Sequence, residues 1–132
     1  MNRFLFSFTI LVVLWCFSSV AESKELIKQF KGSESRTTAE FVVKAPWIVD
    51  WMTTGDYPGI MAMEVSLVSS PGGEYVGKIV MTKYIDNGVR LFTESGRYRL
   101  KVDSSLINWT LRVEQLTRQE AEEYKPRERK LN

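Results

Sequence analysis

Carboxylates and guanidinium groups are the side chains that could do chemistry in this chain, because it has no His and a single Cys, Cys16. Without His, neither a Ser-His-Asp nor a Cys-His relay can be assembled, and no His-bearing metal site is available. Asp50, Asp56 and Glu64 are the acids grouped around the longest irregular segment. A glycosidase needs two such acids facing each other across a cleft, and a small chain without insertions has little material for one. A carboxylate-dependent hydrolase is therefore the least favoured reading, and no catalytic residue is assigned. Asp86-Asn87-Gly88 has the start of a calcium loop, but no Asp-x-Asp-x-Asp series and no closing Glu follow it. Gly72-Gly73 lies between strands and opens no helix, so it does not read as a phosphate loop. Met52, Met61, Met63 and Met81 read as adaptable core fillers rather than soft-metal ligands. No metal and no cofactor are expected.

Binding chemistry has two candidate locations. Residues 53–59, Thr-Thr-Gly-Asp-Tyr-Pro-Gly, form a loop bordered by Trp51, and loops carry binding more often than the elements they join. Tyr57, Asp56 and Trp51 could form a sugar-stacking platform with a polar neighbour; the alternative is an ordinary connection shaped by Gly and Pro. The second location is basic. Arg97, Arg99 and Lys101 share one face of a strand, and Arg112 lies on the outward face of the next. If those two strands pair, they make a stripe with Arg90 at its rim, able to take carboxylate, phosphate or sulfate groups through the donor fork of Arg. The alternative is a solvated sheet face balanced by Glu94, Asp103 and Glu114, its charges guarding against edge pairing. Asn108-Trp109-Thr110 matches the N-glycosylation pattern, which matters only in a host that glycosylates exported proteins.

The elements that must hold these residues are strands. Tyr98, Leu100 and Val102 alternate with Arg97, Arg99 and Lys101. Ile107, Trp109, Leu111 and Val113 alternate with Asn108, Thr110, Arg112 and Glu114. Met61, Met63, Val65 and Leu67 oppose Glu64 and Ser66, Ile79 and Met81 oppose Lys78 and Thr82, and Trp47, Val49 and Trp51 share a face. This period of two means strands with one buried face. Asn87-Gly88 is a strong hairpin signal, since a type I′ turn needs φ > 0 at both central residues. Pro71-Gly72-Gly73, Ser95-Gly96 and Asp103-Ser104-Ser105 mark further reversals. About eight strands result, over 26–31, 38–44, 47–52, 60–69, 75–85, 89–94, 97–103 and 106–116. The expected fold is all-β, an antiparallel β-sandwich with Phe41, Trp47, Trp51, Tyr98 and Trp109 in its core.

Residues 1–21 read as a signal peptide, with Arg3 in the n-region, an uncharged apolar run from Phe4 to Val20, and Ser19-Val20-Ala21 as the cleavage site. An uncleaved anchor is the alternative; the run is slightly short of the roughly 20 residues a span needs. Trp15 before Cys16 disfavours lipidation. Cleavage removes 21 of the 132 residues and leaves 111, with no thiol for a disulfide and no membrane span. Residues 22–117 form the sandwich domain, and 118–132 a charged tail, a frayed helical turn followed by disorder. The near-neutral balance, 18 Lys+Arg against 16 Asp+Glu, gives no broad field for nucleic acid.

Several pieces stand in a recognisable order: Phe30-Lys31-Gly32, Phe41-Val42-Val43, Trp47-Ile48-Val49-Asp50-Trp51, Gly96-Arg97-Tyr98-Arg99-Leu100-Lys101-Val102 and Trp109-Thr110-Leu111-Arg112-Val113. Together they resemble small secreted bacterial β-sandwich domains of unassigned role, and the Gly-x-Tyr-x-Leu-x-Val piece is similar to the sandwich appended to secreted peptidases. The resemblance implies an exported sandwich and carries over no catalytic residue. The expected function is a secreted or periplasmic non-catalytic binding or protein-interaction module, with Trp51, Asp56, Tyr57, Arg97, Arg99 and Arg112 as its ligand-binding residues and a protein or glycan partner. A carbohydrate-binding module is the alternative.

Overall fold

In the computed structural model, residues 24–125 are described; the expected leader, 1–21, and the end of the tail, 126–132, lie outside the described residues. Alternation produces nine antiparallel strands: β1 (Glu25–Gly32), β2 (Arg36–Thr37), β3 (Phe41–Val43), β4 (Trp47–Thr54), β5 (Ala62–Ser69), β6 (Tyr75–Thr82), β7 (Asn87–Phe92), β8 (Gly96–Ser105) and β9 (Asn108–Gln115). They form a sandwich. One sheet runs β1-β9-β4-β7; the other runs β2-β8-β5-β6, with β3 beside β2 on the same edge of β8. The expected 38–44 strand is cut to three residues, and the extra strand is the two-residue β2. There Thr38 is buried and trades bonds with Leu100: its amide donates to the Leu100 carbonyl at 2.9 Å, and its Oγ1 accepts from the Leu100 amide at 3.0 Å.

The inner faces close a single aromatic-aliphatic core. Trp47 is fully buried, stacks on Phe92 at 4.3 Å between centroids, meets Phe41 edge-on at 5.8 Å, and donates its Nε1–H to the Glu94 carbonyl at 2.9 Å. Burying an indole with its donor satisfied removes a large apolar surface from water without leaving an orphan polar group. Trp109, Leu111 and Val113 face Tyr98, Leu100 and Val102 across this core, as the alternation requires.

Two expectations are corrected. Asn87-Gly88 is no hairpin turn: both residues belong to β7, pair with Met52 and Trp51, and lie outside the positive-φ set. The chain crosses there from one sheet to the other, so a two-residue loop cannot serve. Met81 is 65% exposed, while Thr82 and Val80 point inward, because a bulge at Ile79 shifts the pairing of β6 on β5 by one residue. Met52 is exposed as well. The helical turn expected in the tail is present among the described residues. Helix α1 (Arg118–Ala121) is closed by a capping box between Thr117 and Glu120 and continues into a 3₁₀ turn, Glu122–Tyr124. Ala121 and Leu116 bury Ile48 on the outer face of β4, with Leu91 and Tyr124 packed around them. Ile48 is an apolar residue on the face that alternation assigns to solvent, and this segment is what covers it.

Candidate binding surface

Four connections meet at one end of the sandwich: 33–35, 55–61, 83–86 and 106–107. Register places them together, since Thr54 pairs with Asn108, Met52 with Asn87, Ala62 with Ser105 and Met63 with Thr82. A hydrogen bond ties the second loop to the third, and others anchor the third and the first to neighbouring strands. The Gly59 amide donates to the Lys83 carbonyl at 2.8 Å, and the Thr53 amide to the Asp86 carbonyl at 2.9 Å. Buried Thr53 is the hub: its hydroxyl donates to the Tyr84 carbonyl at 2.8 Å and accepts from the Asp86 amide at 3.0 Å. Ser35 Oγ links the first loop to β8, donating to the Ser104 carbonyl at 3.2 Å and accepting from its amide at 2.9 Å. Gly55 lies so close to the fourth loop that a Cβ there would be 3.2 Å from the Leu106 carbonyl. These loops are supported rather than loose.

Their tips are apolar. Tyr57, Ile60, Tyr84, Ile85 and Leu106 are all more than half exposed, Ile60 reaching 73%. Leu106 also holds φ at 58°, the left-handed region that costs a residue with a Cβ about 1–2 kcal/mol. Five large apolar side chains on the loops of one end are unlike the scattered single exposures that any surface carries. A depression of about 320 Å³ adjoins the tips, lined among others by Ser35, Glu64, Met81, Lys83 and Asp103.

The expected site residues separate into different places. Tyr57 and Asp56 sit in this loop end, exposed. Trp51 does not join them: it faces the interior, half-buried against the core, with Gly88 of β7 on its indole. A ring covered by backbone offers no stacking platform, so the geometry does not assemble Trp51 and Tyr57 into a sugar site. Arg97 and Arg99 lie with Lys101 along the outer face of β8, and none of them takes part in an ion pair among the described residues. Arg99 donates its Nε–H to Ser70 Oγ at 3.3 Å. Arg112 is not their neighbour. β8 and β9 belong to different sheets, so Arg112 projects from the opposite side of the sandwich, where it pairs with Glu114 at 3.2 Å. The continuous stripe expected from pairing those strands is not formed; Arg90 is elsewhere too, on β7, donating to the Lys78 carbonyl across the open side between the sheets.

No protein-family model matches the chain, and no curated protein matches it either. The site therefore rests on its own chemistry. The acids considered for hydrolysis do not converge: Asp50 stands opposite Arg112 on one outer face, Glu64 pairs with Lys78 at 3.3 Å on the other, and Asp56 is in a loop. Ile60, Tyr84, Ile85 and Leu106 could not have been singled out by residue type. Their signal was position, since each falls outside the alternating runs or at an end of one.

Proposed function

We propose that the protein is an exported, non-catalytic interaction module of the cell envelope or extracellular space, and that it contacts a protein partner through the loop end carrying Tyr57, Ile60, Tyr84, Ile85 and Leu106. The observation that carries this reading is the placement of those exposed apolar side chains on the loops of one end of the sandwich, two of which are joined by a hydrogen bond. Apolar surface of this kind gains free energy when a partner removes it from water, at about 25 cal/mol per Å². Tyr supplies anchors of low conformational entropy with a polar tip. Aliphatic neighbours around Tyr57 suit a protein surface better than a glycan, which would ask for more hydrogen-bonding groups. The leader-like residues 1–21 support export, and the resemblance to secreted sandwich domains agrees with it.

A photo-crosslinking residue placed at Ile60 in the expressing cell tests the reading, with the same residue at the exposed Lys28 of β1 as control. Adducts formed from position 60 and absent from position 28, and lost when Tyr57 and Leu106 become Ser, support it. Equal adducts from both positions, or none from position 60, refute it. Cell fractionation and the mass of the product's N-terminus test export.

A further inference from the structure

We infer that the loop end docks on a second copy of this chain, on the outer face of β8 around Arg97 and Arg99, so that copies join head to tail. The inference rests on the proposal that the loop end is a contact surface, and it names the partner. Charge is the first argument. Although the whole chain is basic by +2, the four loops carry Glu34, Asp56 and Asp86 against the single cation Lys83. A membrane surface rich in anionic lipid is a poor match for an acidic, apolar tip. A surface that offers cations beside apolar groups is a good one.

This molecule presents such a surface. Arg97, Arg99 and Lys101 project from β8 with no carboxylate within ion-pair distance among the described residues. Val42, the cross-strand neighbour of Arg97, is 59% exposed, and Tyr75, two strands away in line with Arg99 and Val68, is 67% exposed. Cations flanked by exposed apolar side chains complement apolar tips flanked by acids, in charge and in hydropathy. The two surfaces do not overlap, since one is built on connections at the end of the sandwich and the other on the face of one sheet. Each copy can therefore give one and receive one. Such a heterologous contact propagates into a ring or an open chain rather than closing as a two-fold dimer.

Sedimentation velocity of the purified protein decides the matter with two variants at outward-facing positions. Ile60→Asp disables the loop end; Arg97→Glu with Arg99→Glu disables the face. The wild type is expected to form species larger than a dimer as concentration rises, and to dissociate as salt rises, because charged contacts are screened. Each variant alone is expected to be monomeric, with self-association weakened at least about tenfold. The equimolar mixture is expected to give a one-to-one dimer and nothing larger, because only one intact pair of surfaces remains. Far-ultraviolet dichroism matching the wild type shows the variants folded, and Ile60→Ser is the milder second loop variant. A wild type monomeric at high micromolar concentration overturns the inference, as does a mixture that stays monomeric or variants that assemble unaided. If Ile60 crosslinks to a different protein in the cell while the purified chain stays monomeric, this inference fails and the proposed function stands. If neither occurs, both fail.

Discussion

Replacing Gly88 by Ala should destabilise the protein through Trp51. Gly88 lies opposite Trp51 in the β4–β7 pairing, and a Cβ there would be 2.6 Å from Cζ2, 2.8 Å from Cε2 and 3.1 Å from Nε1 of the indole. Two of these distances are shorter than side chains in a packed interior tolerate, so the ring or the strand must move. Overpacking of this kind costs about 1–3 kcal/mol, and loss of glycine's freedom in the unfolded chain returns about 0.4–1 kcal/mol. Because β7 is an edge strand and can yield somewhat, the net loss should be about 1–2 kcal/mol, or roughly 4–8 °C in melting temperature for each kcal/mol in a domain of about 100 residues. Urea unfolding followed by dichroism and by the fluorescence of the remaining indoles measures it, with the slope m unchanged. The decisive comparison is the same change in a Trp51→Leu background. With the indole gone, Ala at position 88 should be neutral or slightly stabilising, giving a coupling of about 1–2 kcal/mol between the two sites. A glycine required by backbone conformation would be penalised equally in both backgrounds. Equal penalties within about 0.5 kcal/mol would refute the packing account.

Other predictions follow from the loops, the tail and one tyrosine. Thr53→Val removes the hydroxyl that serves Tyr84 and Asp86 and should cost about 1–3 kcal/mol, with earlier proteolysis in residues 83–86 as the local readout. Thr117→Ala breaks the capping box for about 1 kcal/mol; because the Ala121 amide donates to the Thr117 carbonyl at 3.0 Å, its hydrogen-exchange protection should fall about fivefold, while strand amides of the core stay unchanged. Leu106→Gly relieves the left-handed backbone strain and should be more stable than Leu106→Ala by about 1 kcal/mol, reversing the usual order of the two residues; Ala equal to or better than Gly in thermal melts would contradict the strain. Burial and the Glu94 carboxylate hold the Tyr98 hydroxyl above its ordinary pKa of 10.0. The unfolded chain therefore ionises first, so this contribution is complete below about pH 10 and is lost as pH rises toward the folded value. Tyr98→Phe should show a shallower alkaline loss of stability than the wild type, measured as unfolding free energy against pH.

Much of the fold was legible because alternation reports which face of a strand is buried. Trp47, Tyr98, Leu100, Trp109 and Leu111 are all inside, as their spacing requires. What alternation cannot report is which sheet a strand joins. Arg99 and Arg112 are both outward residues of consecutive strands, and the pattern is the same whether those strands pair or face each other across the core. They face each other, so the basic stripe divides, and Arg112 goes to Glu114. The same blindness explains Asn87-Gly88: its turn chemistry is real, but the connection before it crosses between sheets, and Gly88 is needed for the room it leaves Trp51. Ile48 shows a third limit. Its apolar character on an outer face is explained only by α1, a segment whose charged composition points to solvent and whose docking depends on Leu116, Ala121 and Tyr124.

The loop end differs from these cases because nothing within the described chain accounts for it. Ile48 is covered, the Trp51 ring has Gly88, and the outward residues of β9 are polar or paired. Ile60 and Leu106 are exposed and gain little from the fold. Leu106 makes the point most sharply, since a left-handed backbone at an exposed position is satisfied at lower cost by Gly or Asn. Gly55 brings the adjacent backbone close to Leu106. A strained, apolar tip set among acids suits the proposed contact, whose other half would be apolar and cationic. The outer face of β8, with Arg97 and Arg99 beside Val42 and Tyr75, has that character on the same molecule. Surfaces so matched, placed apart on one domain, are the two that the proposed head-to-tail contact would join.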